Sequence, residues 1–337
     1  MSVLRSKDPL QIIAFYTYGT NTQLYVRGRA LEDENINLSA KSLWKLLLNS
    51  WKRFDADEVG LSPVSLQLPD GTRIAACTDT EGFFLVHKGH KGLERFADEE
   101  GWVPFEVSYS SWELLERVQG RNSFPGQFLI PSKKAEFGVI SDIDDTLVHT
   151  GVVSSLKWQV IMNTIFKRPE KRIPLEGAAM FLQLLHKGKS GTAANPIFYV
   201  SHSPWNLYRY LLFFLRKNHF PKGPILLRSF KSLLRRRRSK EKPEKQKEIL
   251  NILDTYPQLP FILIGDSGEY DADIYMEIAE THPNRILAIY LRSVRHRRRR
   301  RRVRNLFRGY KTTPVLLAEN SSELITHARK CGFIGSG

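Results

Sequence analysis

Asp142 and Asp144 stand two residues apart in the run Val139-Ile140-Ser141-Asp142-Ile143-Asp144-Asp145-Thr146, directly after an apolar stretch. A strand there delivers two carboxylates at its carboxyl end, the edge where open α/β sheets bind ligands. Paired acids followed by a threonine at such an edge point to phosphoryl transfer. A solvated acidic turn and a calcium loop are the alternatives. An EF-hand loop needs a third oxygen ligand where Thr146 sits and a glycine where Leu147 sits, so calcium fits poorly.

Companions appear later in the chain. Ser201 lies in Phe198-Tyr199-Val200-Ser201-His202-Ser203-Pro204-Trp205, where a hydroxyl and nearby amides at a strand end suit phosphoryl oxygens. Asp266 ends the apolar run Phe261-Ile262-Leu263-Ile264-Gly265, and Asp271 follows five residues on. One or two carboxylates from this segment, with Asp142, suit magnesium, which keeps waters and substrate phosphate among its ligands. Asp271 and Asp273 also suit simple capping of a helix dipole. A cation must offset this negative charge. Lys245, at the start of a helix just before the acidic strand, is the choice, with Lys247 as the alternative register.

These residues need a frame. From Gln11 to about Ser132 the chain reads as short alternating runs (23–27, 64–68, 82–87, 103–109 and 127–130), with a Pro69-Asp70-Gly71 turn after the second. That pattern predicts a small antiparallel β-sandwich-like domain over residues 1–132. One helix is expected over 40–54, where Leu43, Trp44, Leu47, Leu48, Trp51 and Phe54 share a face.

After residue 132 the grammar changes to apolar strands (137–141, 197–201, 224–227, 261–265 and 286–290) alternating with helical stretches. This predicts a doubly wound parallel sheet with helices on both faces over 133–337. Ser203 and Pro204 read as the cap and first residue of a helix reaching about Asn218, and 244–256 and 271–280 as two more. The arginine runs 235–238 and 297–302 fall between or beyond these elements, so loops are expected there.

In order and spacing the four motifs resemble those of the haloacid dehalogenase superfamily of phosphohydrolases. More narrowly, Ser141-Asp142-Ile143-Asp144-Asp145-Thr146, Tyr199-Val200-Ser201-His202-Ser203-Pro204-Trp205, Gly223-Pro224-Ile225-Leu226-Leu227-Arg228 and Leu263-Ile264-Gly265-Asp266-Ser267-Gly268-Glu269 resemble the catalytic domain of actin-patch-protein type phosphatidate phosphatases. The resemblance spans about 137–292. It implies a HAD-like Rossmannoid sheet, Asp142 as nucleophile, Asp144 as general acid and base, and Lys245 as the charge-balancing lysine. It further implies phosphate contacts from Thr146, Ser201, His202 and Lys245, and a Mg2+ site at Asp142, Asp144, Asp266 and Asp271. Between Gly151 and Pro174 there is room for a small flap and not for a large cap, which suits bulky substrates by analogy.

Charge bears on the partner. The 337 residues carry a formal net charge of +16. Residues 228–247 hold ten basic and two acidic residues, and residues 292–308 hold ten basic and none acidic, which leaves the rest near neutral. Such blocks want a polyanion, either an anionic membrane or nucleic acid. Aromatic platforms for single strands are not clustered beside the arginines, which favours lipid.

Two cysteines make no disulfide framework or thiolate zinc site. A polar amino terminus and the absence of any apolar run of membrane-spanning length predict a cytoplasmic chain, peripheral at most. The expectation is a phosphatidate phosphatase. A phosphatase for nucleic-acid ends, phosphoproteins or soluble esters, and a non-catalytic polyanion-binding module, are the competing readings.

Overall fold

The computed structural model describes residues 9–32, 59–143, 176–228, 242–267, 270–293 and 297–335. The expected helix at 40–54, the flap region, the 235–238 arginines, Asp144 and Thr146 lie outside the described residues. The chain divides into two compact units, Met1–Ile130 and Pro131–Gly337. No helix among the described residues is long and apolar enough to cross a membrane.

The first unit holds β1 (Leu10–Ala14), β2 (Thr17–Gly19), β3 (Gln23–Glu32), β4 (Pro63–Gln67), β5 (Arg73–Cys77), β6 (Phe83–Gly89), β7 (Trp102–Tyr109), a one-turn α1 (Trp112–Leu115) and β8 (Phe124–Leu129). Alternation works as expected. Along β3, Leu24, Val26 and Ala30 are buried while Tyr25, Arg27 and Arg29 are only partly so. Leu66, Phe84, Val103, Val107 and Phe128 join the same core.

The Pro69-Asp70-Gly71 turn joins β4 to β5. The Leu68 amide donates to the Thr72 carbonyl at 2.9 Å, and Gly71 takes φ 87°, a conformation favouring glycine. The described strands of this unit are not split into two separately hydrogen-bonded sheets. They form one eight-stranded sheet in the order β1-β3-β2-β8-β7-β4-β5, with β6 also on β3 and a parallel β2–β8 pair. Alternation reports which side of a strand is buried and says nothing of which strand it pairs with, so it cannot separate a sandwich from one curved sheet.

The second unit is α/β. Its strands β9 (Gly138–Ser141), β10 (Ile197–Pro204), β11 (Ile225–Arg228), β12 (Phe261–Asp266), β13 (Ile286–Arg292) and β14 (Val315–Ala318) are all parallel, in the order β11-β10-β9-β12-β13-β14. Around them are α2 (Ala178–Lys187), α3 (Tyr208–Lys217), α4 (Glu244–Thr255), α5 (Asp271–Thr281), α6 (Arg297–Leu306) and α7 (Ser321–Lys330).

Both faces of the sheet are covered. Ile264 lines a small cavity with Ala178, Phe181 and Leu182 of α2 and Leu324 of α7. Gly265, the next residue of β12, faces Asp271 and Tyr275 of α5 instead. The strand order reverses between β9 and β12. Open sheets bind ligands at such a switch point, beyond the carboxyl ends of the strands.

Two expectations need correction. The helix read from Ser203 begins later: β10 runs through Pro204, a 3-10 turn follows at Trp205–Leu207, and α3 starts at Tyr208. Pro204 is extended, with ψ 155°. Proline fixes φ and leaves ψ open, and it steers the residue before it away from helical geometry.

The second arginine run is no loop. Residues 297–306 form α6, the connection between parallel β13 and β14, which a tight turn cannot make. Val303 is its buried anchor. Arg302 Nη1 donates to both carboxylate oxygens of Asp273 at 2.8 Å, and Arg300 Nη1 lies 2.5 Å from a carboxylate oxygen of Glu319.

Candidate active site

Asp142 follows β9 directly, and its amide donates to the Ile264 carbonyl of the adjoining β12 at 2.8 Å. Asp266 is the last residue of β12. The parallel register thus sets two carboxylates side by side at the switch point. Each strand is a mostly apolar run buried on both faces, and its acid falls where the sheet ends.

Helices supply the other two groups. On α4, Lys245, Ile249, Ile252 and Leu253 are buried together, a spacing that makes one face. Lys245 therefore rides the face that packs on the sheet, in the first turn, and points its ammonium at the strand ends. On α5, Asp271, Ile274, Tyr275 and Ile278 form the corresponding face. Asp271 in the first turn also meets the positive end of the helix dipole.

The four meet in one place. Lys245 Nζ lies 2.7 Å from Asp142 Oδ1 and 2.5 Å from Asp271 Oδ1, and the Asp266 amide donates to Asp271 Oδ2 at 3.4 Å. All four side chains are buried, with Lys245 only 2% exposed. Burial by itself pulls the Lys245 ammonium toward neutrality, but the carboxylates of Asp142 and Asp271 outweigh it. Its pKa stands well above the ordinary lysine value, and it stays charged.

Lys247 points elsewhere, half-exposed, with Nζ 3.5 Å from Glu244 Oε1. It sits two residues on, far around the helix from the buried face. Of the two lysines left open by the sequence, Lys245 meets Asp142 and Lys247 does not.

One carboxyl oxygen each from Asp142, Asp266 and Asp271 lies within 4.8 Å of the others. This all-oxygen donor set suits a hard divalent cation. Three buried carboxylates against one buried ammonium also leave an excess of negative charge that a dication would balance. The residues present fit a divalent metal.

Ser201 lies one strand over. Tyr199 of β10 is in register with Ser141 of β9, so Ser201 reaches the same carboxyl edge as Asp142. It is buried, and its Oγ accepts the Ser203 amide at 2.9 Å. The carbonyl of His202 accepts from Arg228 Nε at 2.8 Å, tying β10 to β11. The expected contributions of Asp144 and Thr146 fall outside the described residues.

Two supporting residues escaped the sequence reading. Tyr275 is fully buried and donates to the Ile264 carbonyl at 3.0 Å, with Lys245 Nζ 6.0 Å from its ring centroid. Burial and then the Asp271 carboxylate push its phenol well above the usual tyrosine value, so it remains a neutral donor. Gly265 leaves room for Asp271: a Cβ there would fall 2.5 Å from Asp271 Oδ2 and 2.8 Å from the Tyr275 ring. The signals existed, since Tyr275 is four residues after Asp271 and Gly265 interrupts an apolar strand.

Comparison with known proteins finds a family likeness over the unit that holds these residues. Residues 137–293 match the family model of the phosphatidate phosphatase APP1 catalytic domain. Phosphatidate phosphatase APP1 of Saccharomyces cerevisiae is 34% identical over 220 residues, covering 64% of this chain and 35% of that protein. Uncharacterized protein C29B5.04c of Schizosaccharomyces pombe is 31% identical over 158 residues, covering 46% of this chain and 25% of that protein. The chain therefore spans about a third and a quarter of the lengths of these relatives. The residues that match the APP1 catalytic family model fall within the second unit, in keeping with the motif resemblance.

Proposed function

We propose that the chain is a Mg2+-dependent phosphomonoester hydrolase that acts on phosphatidic acid at anionic membranes. The observation that carries this reading is the buried Asp142–Lys245–Asp271 network beside Asp266, at the switch point of a unit similar to a phosphatidate phosphatase catalytic domain.

In this reading a carboxylate oxygen of Asp142 attacks phosphorus in line. The bond from phosphorus to the diacylglycerol oxygen breaks as the aspartyl–phosphorus bond forms. Asp144, assigned by resemblance, gives its proton to the departing oxygen. It then takes a proton from the water that attacks the aspartyl phosphate, which frees inorganic phosphate and restores Asp142.

Lys245 holds Asp142 and Asp271 in place and keeps a fixed positive charge beside the reacting oxygens. Ser201, with Thr146 and His202 by resemblance, contributes to gripping the phosphoryl oxygens. Mg2+ held by Asp142, Asp266 and Asp271, with Asp144 added by resemblance, would offset the repulsion between carboxylates and substrate phosphate.

Phosphate release from phosphatidic acid vesicles, soluble phosphomonoesters and phosphorylated oligonucleotides, each with and without Mg2+, tests this. The expected result is metal-dependent release with the vesicles preferred. Asp142→Asn should lower turnover by on the order of 10^3-fold or more while substrate binding persists. Preference for the oligonucleotide or a soluble ester would move the substrate assignment. Unchanged phosphate release by Asp142→Asn would overturn the aspartyl-phosphate mechanism, and a parent chain that releases phosphate from none of the three, yet binds them with or without the Asp142 carboxylate, would make the unit a polyanion-binding module.

A further inference from the structure

Helix α6 is charged in a way that the fold alone does not require. Connecting β13 to β14 needs only a helix with one apolar face, and Val303 with its neighbours Leu306 and Phe307 supplies that. Yet residues 297–302 are all arginine. Arg297 repels Arg300 and Arg301, Arg298 repels Arg301 and Arg302, and the cations crowd the positive end of the helix dipole with no acid in the first turn. Asp273 and Glu319 answer Arg302 and Arg300.

The rest of the charge is sorted by face. Arg299 and Arg300 are partly buried on the side of Val303, whereas Arg297, Arg298, Arg301, Arg304 and Arg308 are exposed. At 100° per residue, Arg297, Arg298, Arg301 and Arg304 all fall about 100° or more around α6 from Val303 and make one exposed stripe, with Arg308 just beyond the helix end. β13 ends at Arg292, in register with Asp266, and α6 begins five residues later in the chain. The Arg302–Asp273 pair ties it to the first turn of α5, two residues from Asp271. The helix also lies beyond the residues that match the catalytic family model.

We infer that the exposed arginine stripe of α6 is a docking surface for an anionic lipid bilayer, placed at the rim of the catalytic edge. A sheet of phosphate-bearing headgroups complements the stripe in charge. It also removes the like-charge repulsion that the isolated helix bears. The choice of lipid rests on the phosphatidate reading of the site; the attraction to a polyanionic surface does not.

The test is co-sedimentation of the full chain with phosphatidylcholine vesicles that contain or lack phosphatidylserine. Wild-type chain should sediment only with the anionic vesicles, and salt should release it. Replacing Arg297, Arg298, Arg301 and Arg304 by glutamine should weaken binding on the order of 100-fold or more. Lysine at the same four positions should retain most of it, which separates charge from damage to the helix.

Equal sedimentation of the parent and the glutamine variant, or no sedimentation of the parent at low salt, overturns the inference. Tighter arginine-dependent binding to an oligonucleotide at matched phosphate overturns the lipid assignment. A parent chain that binds vesicles through these arginines but cleaves no phosphate ester refutes the catalytic reading and leaves the docking surface standing.

Discussion

Lys245 shows how one side chain can serve both charge balance and structure. Its ammonium is buried against two carboxylates that come from points 103 and 26 residues away. A buried ion pair of this kind adds little net stability over an apolar core, but removing one partner strands the others. Lys245→Ala is therefore expected to destabilise the chain by roughly 3–5 kcal/mol and to abolish phosphate release. Lys247→Ala should stay within about 0.5 kcal/mol and keep the activity, since its Glu244 partner is exposed. Urea unfolding and turnover of the two variants side by side check both halves. Loss of activity in Lys247→Ala with activity kept in Lys245→Ala would move the charge-balancing role to Lys247.

Strand β12 and helix α5 form the element on which the acid cluster depends. Gly265 lets the first turn of α5 close onto the strand end, and Tyr275 pins the helix to the Ile264 carbonyl. An added methyl at Gly265 would meet Asp271 and Tyr275 well inside contact distance, so α5 must move. Gly265→Ala should cost about 1–3 kcal/mol. It should also raise the Mg2+ concentration for half-maximal activity by roughly tenfold, as for disturbed outer-shell support. A melting curve and a metal titration give the two readouts. An unchanged metal requirement would show that Asp271 takes no part in holding the ion.

At the scale of the whole molecule, the buried phenols set an alkaline limit. Burial raises the pKa of Tyr109, Tyr199, Tyr275 and Tyr290 above the ordinary tyrosine value, and Lys245 is raised by its carboxylates despite burial. Each of these groups binds its proton more tightly folded than unfolded. Their contribution is therefore full below the unfolded values, near pH 10, and lost as pH rises through the folded ones. Stability should fall above about pH 10, and phenolate absorbance from these residues should appear only together with loss of near-UV circular dichroism. Phenolate signals for all tyrosines before unfolding would contradict the burial.

Much of this protein is written locally. The apolar runs ending at Ser141 and Asp266, the acids that follow them, and the amphipathic spacing of α4 and α5 are patterns of a few residues, read from one stretch of chain at a time. They suffice to predict a parallel α/β unit with phosphoryl chemistry at its edge. Elements of three to five residues such as β1, β2, β5 and β14 passed unnoticed.

What the tertiary structure decided was non-local. Which lysine meets Asp142, whether the first unit closes as two sheets or one, and why an arginine run is helical all depend on partners far along the chain. Strand pairing and burial are settled by contacts across the fold, and no local spacing encodes them.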